Sequence, residues 1–351
     1  MTAAFDFSNL EDQLQDERKK VDVASHDFSV RELVRMLEEG ELSISPEYQR
    51  KYRWQEDVAS TLIESIFLGL PVPPIFVATN AGFQWEVVDG LQRLSTLLFF
   101  VANRPEHLAL INRTAPLKLQ KLQKLSQLND VGYADLPVTL QRYFGRQPLQ
   151  VISLTDKSNQ SVRFDLFERL NAGAISLSPQ EVRACIYGGP FNDFLEELAR
   201  EPNFQGLIKL QELKQNDGTA AEEVLKFFAY KNNRDAFDGR VKNFLNEFSA
   251  ASVESFDYER ERELFLQTFE FLFSVTNGPF LRNTTSVTPL VQLEACAVAI
   301  GELISEGLTP IVPPAGWIED AELVDSSTGG SNTRAKLNRR MKRAREIFGG
   351  Q

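Results

Sequence analysis

Histidine and cysteine are scarce in this chain. Two histidines, His26 and His107, among 351 residues leave no clustered His/Cys set of the kind zinc requires. An HNH-type nuclease centre, a Ser-His-Asp triad and a Cys-His dyad are equally hard to assemble from them. The two cysteines, Cys185 and Cys296, lie far apart in apolar helical patterns. They read as buried reduced thiols and exclude a disulfide scaffold. No GxxxxGK[ST] phosphate loop occurs. The longest apolar runs, "LSTLLFFVA" and "ACAVAIG", fall well short of the ~18 residues that span a bilayer. The first residues, "MTAAFDFSNLEDQLQDERKK", lack the basic-then-apolar layout of a signal peptide. A cytoplasmic protein with no membrane partner is therefore expected. Positive charge is also in deficit: 38 Lys and Arg face 49 Asp and Glu, a net charge of −11. A field of that sign opposes indiscriminate coating of nucleic acid. Local basic runs remain at 49–53, "QRKYR", and at 334–345, "RAKLNRRMKRAR".

What is present is an ordinary globular composition, 42% hydrophobic and 25% charged. Its length suggests two domains, or one with a large extension. Residues 1–27 are polar and mixed in charge and read as a frayed lead-in. Val30, Leu33, Val34 and Leu37 recur at helical spacing, with Gly40 as a stop. "LSIS" is a short strand candidate, and Val58, Leu62 and Ile66 mark a second helix ending at Gly69. "IFVA" and "FQWEVV" pair as strands across the turn at 79–82. Leu94, Leu97, Leu98 and Val101 then form the stripe of a third helix. The polar, leucine-spaced segment 104–145 reads as a helical insertion, and 149–155 as another strand. Ser178, Pro179 and Glu181 form a helix start with a capping box, and Thr219 with Glu222 suggests another. Beyond Gly188-Gly189-Pro190 the pattern is helical throughout. The expected division is a lead-in at 1–27, an α+β domain at 28–200 and a helical domain at 201–325. A flexible joint and a basic helix follow at 326–351.

The richest chemistry sits where "EVVDGLQRLSTLLFFV", residues 86–101, passes from strand to helix. A helix N-terminus leaves backbone N–H groups unpaired and carries roughly half a positive charge. Gly90 lets backbone approach closely, and Arg93 adds a forked donor suited to phosphate, so the turn is an anion cradle in outline. Asp89 would repel a phosphate unless it holds Mg²⁺ or orients a water or hydroxyl. The bland alternative is a DG turn that happens to carry polar residues.

Three blocks in order extend this picture: Tyr48-Gln49-Arg50 with Tyr52 and Trp54; Asp89-Gly90 with Gln92-Arg93-Leu94; and Phe167, Arg169-Leu170-Asn171, Leu177 and Glu181. Together they resemble the GmrSD restriction endonuclease N-terminal domain family, also catalogued as domain of unknown function 262. The resemblance covers about residues 28–200. It implies a ParB/sulfiredoxin-like fold: a small mixed sheet with helices in the N-terminal half, ahead of an all-helical C-terminal domain. It also implies binding and hydrolysis of a nucleoside triphosphate with Mg²⁺, within a bacterial DNA restriction or anti-phage defence system whose cutting is done by a separate nuclease. On that basis Asp89, Gln92 and Arg93 are the catalytic candidates, with Asp89 the Mg²⁺ candidate. Gln49, Arg50, Gly90, Arg93, Arg169 and Asn171 are the nucleotide-binding candidates. Leu91 stands where the family pattern has its first glutamine. If that glutamine touches base or ribose, nucleotide preference or turnover changes here; if it packs beneath the turn, Leu91 is neutral.

Other readings stay open. A non-catalytic DNA-binding adapter would use the basic C-terminal helix, with Arg339, Arg340, Lys342 and Arg343 as contacts. Leu337, Met341 and Ala344 mark an apolar stripe on that helix, so it also reads as docked with a solvated basic face. Sulfiredoxin-type chemistry needs a cysteine at the turn, and neither Cys185 nor Cys296 is near it in sequence. A pure interaction protein with a decayed pocket has Leu91 as its support. A homo-oligomer remains open.

Overall fold

A computed structural model describes residues 10–19, 22–44, 52, 54–79, 83–154, 164, 169, 178–215 and 217–350. The chain divides into two compact units, Met1–Leu177 and Ser178–Gln351. The architecture is α+β, with the described strands all in the first unit. Among the described residues no helix is long and apolar enough to cross a membrane.

In the first unit, helix α1 (Leu10–Lys19) precedes strand β1 (Val23–Ser29) and helix α2 (Val30–Glu38). Ser29 caps α2 by accepting from the Glu32 amide at 3.2 Å. Strand β2 (Leu42–Ser43), helix α3 (Glu56–Phe67), strands β3 (Ile75–Thr79) and β4 (Trp85–Asp89) and helix α4 (Leu91–Val101) follow. Helices α5 (Pro105–Ala109) and α6 (Val138–Gly145) and strand β5 (Pro148–Leu154) come next, with short 3-10 turns at Ser126–Leu128 and Tyr133–Asp135 between the two helices. The sheet order is β1-β5-β3-β4-β2. Pairing is antiparallel for β1/β5 and β3/β4 and parallel for β3/β5 and β2/β4, so the sheet is mixed. Val30, Leu33 and Leu37 of α2, Ile63 of α3 and Leu94, Leu97 and Leu98 of α4 form one core with Ile75, Val77, Val87 and Val151 of the sheet.

Two expectations fail here. Part of the lead-in is β1, an edge strand pairing from Val23↔Leu154 to Ser29↔Pro148. Its polarity reflects its place at the edge, where backbone pairing supplies the order and most side chains face water. Secondly, the stretch from 110 to 132 contains no α-helix among the described residues, only a short 3-10 turn at Ser126–Leu128. The reason lies in α3, whose side chains take the amides a helix would have used internally. Ser60 Oγ accepts from the Gln120 amide at 3.0 Å, and Glu64 Oε1 accepts from the Lys124 and Leu125 amides at 2.9 and 2.7 Å. Leu117, Leu119 and Leu122 are buried against the same core.

The second unit comprises α7 (Pro179–Ile186), α8 (Pro190–Leu198), α9 (Pro202–Leu207), α10 (Thr219–Asn233), α11 (Val241–Glu254), α12 (Tyr258–Thr276), α13 (Leu290–Ser305), α14 (Ala321–Ser326) and α15 (Arg334–Gly349). Its core is phenylalanine-rich: Phe227 meets Phe265 and Phe269 at 5.6 Å between ring centroids in each case. The Ser178 capping box forms as expected, with Ser178 N to Glu181 Oε2 at 2.6 Å and Glu181 N to Ser178 Oγ at 3.1 Å. The one proposed at Thr219 does not. Gly218 caps α10 in the left-handed region, Thr219 is the first helical residue, and its amide donates to Asp217 Oδ1. Glu222 is drawn away by Arg183 and Lys226.

Candidate functional site

Strand β4 carries a bulge: Phe76 pairs with Asp89 while Val77 pairs with Val87, leaving Val88 as the extra residue. Bulges re-aim the side chain that follows, and here that residue is Asp89. Gly90 then turns the chain at φ +102°, the left-handed region, and α4 begins. A Cβ at Gly90 would lie 3.1 Å from Ile75 Cγ1 and 3.4 Å from Arg93 Nη2, so conformation and space both require glycine. Gly90, the N-cap, has no side chain with which to cap α4, and no other described side chain does so. A helix start of this kind is a general binding place for an anion.

Arg93 lies back across this turn. Its Nη2 donates to Asp89 Oδ2 at 2.7 Å and its Nη1 to the Pro73 carbonyl at 2.6 Å. The Arg93 side chain is 12% exposed, against 40% for Asp89. The guanidinium is thus fixed at both ends, and its other N–H groups make no hydrogen bond among the described residues. The carboxylate that was expected to oppose a phosphate is partly neutralised by the very group that would bind it.

Gln92, one of the catalytic candidates, makes a structural contact. Its Oε1 accepts from the Trp54 amide at 3.2 Å, tying the start of α4 to the aromatic block. One turn on, Thr96 Oγ1 donates to the Gln92 carbonyl at 2.8 Å and meets the Tyr52 hydroxyl at 3.0 Å. Burial pushes the Tyr52 phenol upward, so it stays a neutral hydroxyl at physiological pH. Leu91 is half-buried and packs against the core. Arg169 is helical and exposed. Gln49, Arg50 and Asn171 lie outside the described residues.

One cation missed in the sequence belongs to this neighbourhood. Arg113 Nη2 donates to the Trp54 carbonyl at 3.3 Å, and its guanidinium carbon lies 5.1 Å from the Tyr52 ring centre and 5.0 Å from that of Phe99. No local pattern marks it, since it stands alone in a polar segment. Among the described residues no group of three or more His, Cys, Asp or Glu side chains could hold a metal. Asp89, singly placed and bonded to Arg93, does not fit a protein-caged Mg²⁺.

On α15 the expected DNA contacts are mostly engaged. Arg340 is 1% exposed, its Nη2 donating to Glu294 at 3.0 Å and its Nη1 to the Ser331 carbonyl at 2.7 Å. It therefore leaves the basic face. Arg339 pairs with Glu322 and Asp325, and Arg343 with Asp320 and Glu346. Lys342 is largely exposed and only 3.9 Å from Glu346.

The family model of the GmrSD restriction endonuclease N-terminal domain matches residues 30–188. No curated protein and no solved structure matches the chain. The match spans the bulged strand, the Gly90 turn, α4 and the Ser178 cap, so residues 30–188 are similar to the GmrSD restriction endonuclease N-terminal domain.

Proposed function

We propose that the β4–α4 turn binds the phosphates of a nucleoside triphosphate, and that the chain is a nucleotide-responsive component of a DNA restriction or anti-phage defence system that works with a separate nuclease. The observation that carries this reading is Arg93 held at both ends across an uncapped helix start, with Gly90 keeping side-chain atoms out of the approach. A phosphate arriving there meets first-turn amides and the remaining guanidinium N–H groups without a rearrangement of either. Asp89 keeps Arg93 in place before the ligand arrives. It is then the carboxylate nearest the phosphates, suited to orienting a water for hydrolysis. Mg²⁺ enters as the counter-ion that a triphosphate brings with it, as is usual for an ion that keeps several waters and few protein ligands. Gln92 holds the Trp54 segment against α4. The family match over 30–188 supports the defence setting.

The DNA-adapter reading is less well supported, because the α15 cations are matched by acids of their own unit. The test is a calorimetric titration of each of the four ribonucleoside triphosphates with Mg²⁺, wild type against Arg93→Ala, followed by phosphate release. Saturable binding that the variant loses supports the site, and release separates a turnover enzyme from a sensor. Absence of binding to all four by the wild type would sink the reading.

A further inference from the structure

Beside the Trp54 segment lies an open cleft of about 340 Å³, lined by Gln55, Glu56, Asp57, Arg113, Gln120 and Lys121. We propose that this cleft is a nucleobase subsite and that Arg113, Gln120 and Glu56 select the base. The inference rests on the nucleotide reading of the β4–α4 turn and names a second part of the same site.

Contiguity is the first argument. The Trp54 peptide groups join the two places, its N–H going to Gln92 next to Arg93 and its carbonyl receiving Arg113. A single residue thus separates the phosphate-binding helix start from the cleft, as a ligand with a phosphate tail and a base head requires. The second argument is charge. Arg113 and Lys121 balance Glu56 and Asp57, so the lining neither attracts a polyphosphate nor traps a lone cation. It suits a neutral ligand with alternating donors and acceptors. Amide, carboxylate and guanidinium groups are the set that reads the edges of bases. The volume is at the small end of ligand pockets, right for one base and its sugar rather than an extended chain.

The third argument is the state of Arg113. It lies on the Tyr52 and Phe99 rings and makes no ion pair among the described residues. A planar guanidinium supported in this way is a surface on which a base stacks. The walls are already cross-braced: Gln120 Nε2 donates to Glu56 Oε2 at 2.7 Å and Lys121 Nζ to Asp57 Oδ2 at 3.0 Å. Asn112 and Lys121 hold the loop in its path with φ of +54° and +56°, a conformation that non-glycine residues avoid unless their surroundings impose it.

The experiment compares inorganic tripolyphosphate with the four ribonucleoside triphosphates, all with Mg²⁺, on the full chain and on Arg93→Ala, Arg113→Ala, Gln120→Ala and Glu56→Gln. The last two alter the accessible rim and guard against a folding defect in Arg113→Ala, and thermal melting checks each variant. The wild type is expected to prefer one base by about tenfold over the others, the discrimination of one good paired contact. It is also expected to bind that triphosphate more tightly than tripolyphosphate. Gln120→Ala and Glu56→Gln should shrink the preference, and Arg113→Ala should weaken every nucleoside triphosphate, all three leaving tripolyphosphate binding unchanged. Equal binding of all four nucleotides and tripolyphosphate, lost only in Arg93→Ala, would overturn the subsite and leave the phosphate site standing. So would rim variants that weaken tripolyphosphate as much as nucleotides. No binding of any triphosphate would overturn both.

Discussion

Two arginine-bearing regions behave in opposite ways. Helix α15 carries a dense run of cations, yet Arg339, Arg340, Arg343 and Arg345 each pair with acids of α13, α14 or their flanks. Lys336 is drawn onto the carbonyls of Thr328 and Gly329 at 2.7 and 2.6 Å. Around the β4–α4 turn there are only two described arginines, and both keep donors in hand. Arg93 has one carboxylate partner and Arg113 has none among the described residues. The difference teaches that available charge depends on partners rather than on count. A basic run whose cations are each answered within the fold docks a helix; a sparse pair held by carbonyls and rings remains available to a ligand.

The sharpest way to break this comparison is Arg340→Ala. If α15 is held by its interior pair, the variant leaves Glu294 buried without its hydrogen-bonded partner, and urea unfolding should report a loss of about 3–5 kcal/mol. A loss under about 1 kcal/mol would mean the pair holds nothing.

Next in size is Arg93→Ala, expected to weaken triphosphate binding by roughly a hundredfold, about 2–3 kcal/mol, through lost charge-assisted hydrogen bonds. Stability should change little by comparison, and calorimetry beside melting separates the two.

A pH series on Glu294 sharpens the contrast further. Burial pushes the Glu294 carboxyl up to about 7, against 4.5 for the ordinary group, while the Arg340 and Lys226 charges oppose that rise. The folded chain therefore holds a proton that the unfolded chain has released between those values. Its contribution to stability falls as pH rises through that window, by up to about 3 kcal/mol. Glu294→Gln should flatten this part of the stability profile; an unchanged profile would show that Glu294 stays ionised throughout.

Gly90→Ala should cost about 1–3 kcal/mol from its left-handed backbone and the contact with Ile75. The smallest expected effect is that of Lys342→Ala, within about 0.5 kcal/mol in stability. A large loss of DNA binding in this variant, measured across a salt series, would restore the adapter reading.

Much of this was legible in sequence where the pattern is local. The apolar runs of β3 and β4, the stripe of α4, the Gly90 turn and the Ser178 cap all follow from neighbouring residues. What escaped depends on distant partners. Strand β1 exists because Val23 to Ser29 meet Leu154 to Pro148, a pairing made by backbone groups that leave little trace in composition. The leucines from 117 onward suggested a helix, but Ser60 and Glu64 supply acceptors from another element. Arg113 has no signature until Tyr52 and Phe99 are placed beside it. Arg340 was within reach: it falls on the same face as Leu337, Met341, Ala344 and Phe348, all buried with it. Counting it with the basic residues concealed its position on the apolar stripe.

Helix α7 has a practical consequence for anyone dividing this molecule. The family match runs to residue 188, past α7, yet α7 packs in the unit that begins at Ser178. Arg183, 2% exposed, bonds there to Gln180, Glu222 and Asn246. A fragment trimmed at the edge of the family match would carry an orphaned interior arginine and the sticky face of Val182 and Ala184. Its complement would lack the arginine that Glu222 and Asn246 hold. Dissection by homology would thus yield two damaged halves, and the workable incision lies ahead of Ser178.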